Sequence, residues 1–419
     1  MNKIIWMGCL SYLTIGLAHV VVGPILDPLI RHYGVDYNDG GQLIMNQFFG
    51  FLVGVLVSPW LLPRLGRRRT LLLALGCLTV AETIYSFLPP WGIMLTVGPA
   101  AGFGFGMVES VIGAMILAFL LERKASAMSR LEVFFGLGAL AMPGVAALLL
   151  QQGQWALSFP VVAALSGLTW LLWLTLSFGT DADRMLREKG RPGAPANAAS
   201  DAASAATAAP SQSRAGILLL AAGSVFFFLY VGTEMSFANY MPSILHTHTG
   251  VSESASALAV SLFWGAMAAG RWMIAPVADN LRPSRFLILT SLGTAVSLVL
   301  LPLTTSIPIS FALILIQGLI MAGMFTMGLV FMNNALPGTE ERTTSILVAC
   351  GGLGGALLPK LTGIMMDRFS PTASVWLMAG GAVGMLLVTG LAIRFARSAR
   401  TIRGGRLPDG EAKVSGING

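Results

Sequence analysis

Runs of about twenty apolar residues recur roughly twelve times along this 419-residue chain, and nothing else in it narrows the folding options as much. A bilayer core offers no water, so every backbone N–H and C=O in such a run must find its partner inside the protein. For segments of this length that means α-helices. The approximate spans are 5–30, 41–62, 70–88, 91–120, 128–150, 155–178, 215–245, 254–278, 286–303, 308–334, 343–366 and 373–395. Only 11% of the residues are charged, against about 25% in a soluble domain, so the surface cannot be mainly water-facing. The chain reads as an all-α, multi-pass membrane protein. Its start, MNKIIWMGCLSYLTIGLAHVVVG, has the basic opening of a signal peptide, but the apolar body runs on to Leu29 without a small-residue cleavage pattern. It is read as the first span.

Charge assigns the sides. The connectors LPPWG and QQGQW carry no Lys or Arg, whereas PRLGRRRT, ERKASAMSR, DNLRPSR and the tail RFARSARTIRGGR are strongly basic and fall alternately along the chain, on one side. Basic loops stay in the cytoplasm, so both termini and the central loop are expected there, in the cell membrane. Of the basic residues, only Arg31 and Arg368 fall in outer loops, while Arg271 and Lys360 lie within or near the ends of spans. Juxtamembrane clusters also account for the formal charge of +7 without a nucleic-acid partner. Cys9, Cys77 and Cys350 are far apart in apolar segments and read as small core residues. No metal cluster, nucleotide loop or catalytic motif is visible, so no metal, no cofactor and no enzymatic activity are expected. The glycines of GPAAGFGFGM (98–107) and GLGALAMPG (136–144) lie at membrane depth, where they serve close helix packing.

Between the sixth and seventh runs lies GRPGAPANAASDAASAATAAPSQSR, which has no hydrophobic period and is read as a flexible linker. The chain divides into a half at 1–179, the linker at 180–213, a second half at 214–396 and a basic tail at 397–419. An offset of 216 residues takes Gly16 to Gly232, Gly54 to Gly270, Gly102 to Gly318, Gly136 to Gly352, Gly138 to Gly354 and Pro143 to Pro359. Two six-helix halves related by a repeat resemble the major facilitator superfamily, which implies a substrate site between the halves and access that alternates as they rock. The loop PRLGRRRT resembles the superfamily's loop between the second and third helices at Arg64, Gly66, Arg67 and Arg68, with Pro63 where that pattern has an acid; Asp279, 216 residues beyond Pro63, keeps the acid. The runs SRLEVFFGLGAL, GTEMSFANYMPSI, QFFGFLVGVL and SLFWGAMAAGR are similar to bacterial glucose/mannose:proton symporters. That resemblance implies proton-coupled monosaccharide uptake, with Gln47, Glu109, Glu234, Asn239 and Trp264 in the matching segments.

Polar residues at membrane depth are the candidate site. A charged side chain at the bilayer centre costs about 3 kcal/mol on insertion scales, so each needs a reason to be there. His19, Glu109 and Glu234 lie nearest the midplane and are candidates for proton coupling. For each acid the alternative is a neutral, hydrogen-bonded structural group, and for His19 a satisfied core imidazole. Glu82, in the third span, is read as structural. Gln47, Asn239, Trp264, Gln317 and Asn333 (or its neighbour Asn334) are candidate substrate residues, because sugar hydroxyls need amide and carboxylate partners and a pyranose face stacks on an aromatic ring. Arg64, Arg67, Arg68, Glu132 and Asp279 are expected to form a cytoplasmic ion-pair gate. The leading reading is a monomeric symporter carrying a hexose with protons. A proton-driven exporter of drugs or metabolites, and a non-transporting sensor or scaffold, remain as alternatives.

Overall fold

The structure is a computed structural model that describes residues 2–119, 124–179, 214–274 and 281–404, together with Arg184 and Leu186. The linker expected at 180–213 otherwise lies outside the described residues, as does most of the tail. The first half comprises α1 (Asn2–Val20), α2 (Leu26–Tyr33), α3 (Tyr37–Leu65), α4 (Arg67–Ser86), α5 (Trp91–Phe119), α6 (Lys124–Gln151) and α7 (Ser158–Thr175). The second comprises α8 (Arg214–Thr249), α9 (Glu253–Ile274), α10 (Pro283–Leu300), α11 (Ile307–Met321), α12 (Met324–Ala335), α13 (Glu340–Arg368) and α14 (Pro371–Gly404). The last helix thus runs past the expected boundary at 396.

These helices make twelve crossings, because two crossings are broken. A 3-10 turn at Gly23–Ile25 separates α1 from α2, and Ala322–Gly323 separates α11 from α12. Eleven of the crossings are long and apolar enough to span a membrane. The other, α4, opens on Arg67, Arg68 and Arg69 and carries Glu82, which lowers its apolar content. Tight turns join the helices where glycine permits them. Gly34 ends α2 in the left-handed region at φ 64°, and Asp36 then caps α3 by accepting the Asp39 N–H at 2.8 Å.

The repeat seen in the glycines is a repeat of contacts. A side chain on Gly54 would collide with the carbonyl of Phe103, and one on Gly270 would stand 3.2 Å from the carbonyl of Leu319, which is Phe103 moved on by 216. Gly102 packs on the carbonyl of Gln47, and Gly318 on that of Phe263, again the same pair shifted. Across the halves, Leu52 lies on Gly352 as Ala268 lies on Gly136. One rotation therefore relates the halves, and residues that touch their own mates mark its axis. His19 meets Met235, Nε2 to Sδ, at 3.2 Å, and Gly23 packs against Asn239. Both pairs are 216 apart, so the axis passes between α1 and α8 beside the first helix break.

Two helix pairs, α3 with α13 and α6 with α9, pack along the seam between the halves, and the α1–α2 turn rests on α8 and α9. One side of the molecule carries Asn2 and the end of α14; the opposite side is called here the far face.

Candidate transport site

The polar ties across the seam are concentrated at the far face. Arg31 of α2 pairs with Glu253 of α9 through both guanidinium nitrogens. Asp367, at the end of α13, accepts the backbone N–H groups of Tyr37 and Asn38 at 3.2 and 2.6 Å, where the first turn of α3 leaves its donors without intrahelical partners. Lys360 donates to the Asn38 carbonyl at 2.8 Å, and the Tyr240 hydroxyl to that of Tyr37 at 3.0 Å. Tyr37 in turn donates to Asp27 at 2.9 Å, a buried carboxyl in the first turn of α2 that faces Ser243 and His246 of the other half. The far face is closed by this lock. Asp27 and Lys360 belong to it, although sequence reasoning passed over the first and gave the second no role. The signal for Asp27 was present: an acid four residues after a Gly23-Pro24 break in an apolar run.

Removing the lock should favour the state open at the far face. Each charge at an exposed helix end is worth about 0.3–1 kcal/mol, and an exposed ion pair about as much. Arg31→Ala combined with Asp367→Ala is therefore expected to shift the balance by about 1 kcal/mol, roughly fivefold in the ratio of the two states. The rate at which an impermeant thiol reagent labels a cysteine placed at Ser243, which is fully buried here, reports it. Labelling as slow as in the parent would show that these contacts hold nothing closed.

On the axis sits an aromatic box. The His19 ring meets Phe48, Phe105 and Phe135 edge-on at centroid distances of 5.2, 5.3 and 5.7 Å. Trp264 closes the box against Phe135 at 6.5 Å, and it is the repeat mate of Phe48. Its indole Nε1 is buried without a hydrogen-bond partner among the described residues. The three phenylalanines were not singled out in the sequence, since aromatics are common in membrane spans and only the axis gives these their meaning.

The remaining candidates distribute around this box. Asn239 donates to the Met235 carbonyl at 2.9 Å and packs on the α1–α2 break. Gln47 lies one position away from Phe48 on α3, towards α4 and α5, with its side chain beside the Tyr85 hydroxyl. Gln317 gives its amide to Met321 Sδ at 3.1 Å, and its Oε1 has no partner among the described residues. Asn333 stands apart, because Thr344 of α13 takes its amide in both directions at 2.9 and 3.3 Å and ties α12 to α13. Glu82 is fully buried in α4, on the third crossing, with both carboxyl oxygens unpartnered among the described residues.

Glu234 is buried and accepts from the Tyr230 hydroxyl at 3.2 Å. Nearby, Arg271 of α9 reaches Glu132 of α6 at 3.9 Å across the seam, and Glu109 of α5 lies within electrostatic range of Glu132. Glu132 therefore has a partner from the other half, but it is Arg271 rather than one of the arginines between α3 and α4. Arg64 lies over the Trp60 ring at 3.7 Å and donates to that residue's carbonyl. Arg68 donates to the carbonyls of Trp173, Leu174 and Leu176 at the end of α7, which anchors α4 on α7 within one half. Arg67 is the first residue of α4, and Asp279 lies outside the described residues.

Paired six-crossing halves, a symmetry axis through a central polar and aromatic site, and a lock on one side agree with the sequence comparison. The sequence model described as Major Facilitator Superfamily matches residues 8–244 and again 222–414. The chain belongs to the major facilitator superfamily. Such proteins are membrane transporters, and a small molecule is what the site between the halves has to hold. Within the superfamily the chain is similar to the glucose/mannose transporter of Bacillus subtilis (strain 168), with 26% identity over 93% of this chain and 94% of that one. It is also similar to the sodium-dependent glucose transporter 1A of Mus musculus, with 24% identity over 86% of this chain and 88% of that one. Among solved structures, a D-xylose-proton symporter superposes with a TM-score of 0.75 over 94% of this chain and 97% of that chain, at 14% identity, which shows the shared superfamily fold.

Proposed function

We propose that this protein carries a hexose-like sugar together with protons by alternating access, with the face bearing the termini towards the cytoplasm. The observation that carries the reading is the aromatic box on the axis, with the unpartnered Trp264 Nε1 at its wall and Glu109 and Glu234 within the same two halves. A pyranose presents an apolar face that stacks on an indole and a rim of hydroxyls that seek amide, imidazole and carboxylate partners. His19, Asn239 and Gln317 supply that rim, with Gln47 turned from the box towards Tyr85, and the two glutamates supply groups able to take up and release a proton. Asn333 acts one step away, by holding α12. The names of the relatives support sugar as the substrate class, and the basic loops support the orientation.

Reconstitution into proteoliposomes tests this. Labelled glucose, mannose and xylose are offered under an imposed proton gradient, a sodium gradient, or neither. Accumulation of a hexose driven by protons and collapsed by a protonophore is expected. Failure of every sugar would reject the substrate class, and accumulation driven by sodium alone would reject the proton. Trp264→Ala should weaken sugar binding about tenfold, the equivalent of about 1.4 kcal/mol for a lost stacking face, with the fold retained. Unchanged binding would remove Trp264 from the site.

A further inference from the structure

The break between α11 and α12 exposes the last carbonyls of α11, which carry the negative end of the helix dipole and have no intrahelical donors. Two side chains occupy them. The Tyr230 hydroxyl donates to the Met321 carbonyl at 3.3 Å, and Arg271 donates through Nε to the next carbonyl, Ala322, at 3.3 Å, with its NH2 on Met267 Sδ at 3.4 Å. Both have a second partner that carries charge. Tyr230 also faces Glu234 at 3.2 Å; Arg271 faces Glu132 at 3.9 Å and stands in electrostatic range of Glu234 and Tyr230. The groups around Glu234 are thus Tyr230 on its own helix, Arg271 on α9 and the carbonyl end of α11, with Glu132 of α6 behind Arg271 and Glu109 of α5 behind Glu132.

A tyrosine hydroxyl has a single proton to donate, and here it has two acceptors. When Glu234 is ionised, that proton is held by the carboxylate and Arg271 is drawn towards it, so both donors lean away from the α11 carbonyls. When Glu234 is protonated, the acid donates to the Tyr230 oxygen, the tyrosine proton turns wholly to Met321, and Arg271 is left to Ala322 and Glu132. We propose that Tyr230 and Arg271 are positioning residues that relay gain or loss of a proton at Glu234 to the α11–α12 break, and so set the tilt of α12. The α12 segment lies on the terminal side of the break, opposite the far-face lock, where a change of tilt opens or closes the path to the site. This rests on the symport reading above, and supplies its missing link between proton and gate.

The test uses the purified full-length protein in lipid nanodiscs. An environment-sensitive fluorophore is attached to a cysteine replacing the exposed Asn334 of α12, with Cys9, Cys77 and Cys350 changed to alanine. The signal is followed from acidic to alkaline pH without sugar. A single transition is expected in this parent, absent in Glu234→Gln, lost in Tyr230→Phe and in Arg271→Gln, and kept in Arg271→Lys. An undiminished transition in Tyr230→Phe or Glu234→Gln would overturn the relay, as would a parent that shows none. Should Arg271→Gln not yield monodisperse protein, Tyr230→Phe decides alone, since it keeps the ring and removes only the hydroxyl. A transition in the parent with no sugar carried in proteoliposomes would reject the symport reading while leaving the relay in place; the reverse result would reject the relay alone.

Discussion

Glu234→Gln is expected to abolish proton-driven accumulation of sugar while leaving exchange of sugar for sugar measurable. The amide keeps the volume of the acid and can still accept from Tyr230, so the site and its packing survive, but it cannot take up or release a proton. A carboxylate buried and unpaired is costly, and among the described residues Tyr230 and the more distant Arg271 offset that cost. On the proposed symport reading, loading a proton before the site closes and losing it to water after it opens would tie proton movement to the rocking of the halves. Glu109→Gln should show a weaker defect, because that acid acts on the Arg271 cluster at one remove, through Glu132. Counterflow and gradient-driven uptake in the same liposomes separate the two behaviours. Full accumulation in both single variants and in the double variant would leave these acids as structural groups.

Gly102→Val should have the largest effect on the fold itself. A Cβ there would run into the Gln47 carbonyl, which is backbone and cannot rotate away, and the two neighbouring contacts of Gly50 on Pro99 and Gly54 on Phe103 hold α3 and α5 at that distance. Overpacking against side chains costs about 1–3 kcal/mol, and pushing two backbones apart along a shared interface lies at the top of that range or above it. Loss of monodisperse protein, or a marked fall in its thermal midpoint, is the expected outcome, with the same change at Gly318 behaving alike by symmetry. Gly380→Val is the comparison, since nothing lies within 4 Å of the added carbon. Equal stability of Gly102→Val and Gly380→Val would contradict the close approach of α3 and α5.

Crossings and repeat were legible because both are written in many residues at once. Apolar length marks each span, and one offset carried six glycine and proline pairs, of which Gly54/Gly270, Gly102/Gly318 and Gly136/Gly352 make the same contacts in both halves. Glu234, which the structure buries, stood out for a related reason, that charge in hydrocarbon has few uses. What could not be read is how separate helices face one another. Phe48, Phe105 and Phe135 look like lipid-facing bulk until the axis places them around His19. Arg271 looked like the end of a span, because its role depends on a helix break 51 residues further along that has no proline to announce it. The arginines between α3 and α4 were expected at a gate on loop resemblance; Arg64 lies over Trp60 and Arg68 donates to the end of α7, contacts that the loop pattern does not announce. Asn333, chosen as one polar residue among apolar ones, found its partner in Thr344.

The Asp367 lock has a consequence for how this protein can change over generations. One side of it is a carboxylate, open to replacement by any mutation of that codon. The other side is two backbone N–H groups, which every residue except proline supplies. Exchanges at Asn38 can therefore alter size, polarity or charge and leave its donor in place, whereas the Tyr37 side chain is also held by the hydroxyl it gives to Asp27. Proline, which the first turn of a helix accepts readily, is the one replacement at Asn38 that would remove a donor to Asp367 while leaving α3 folded.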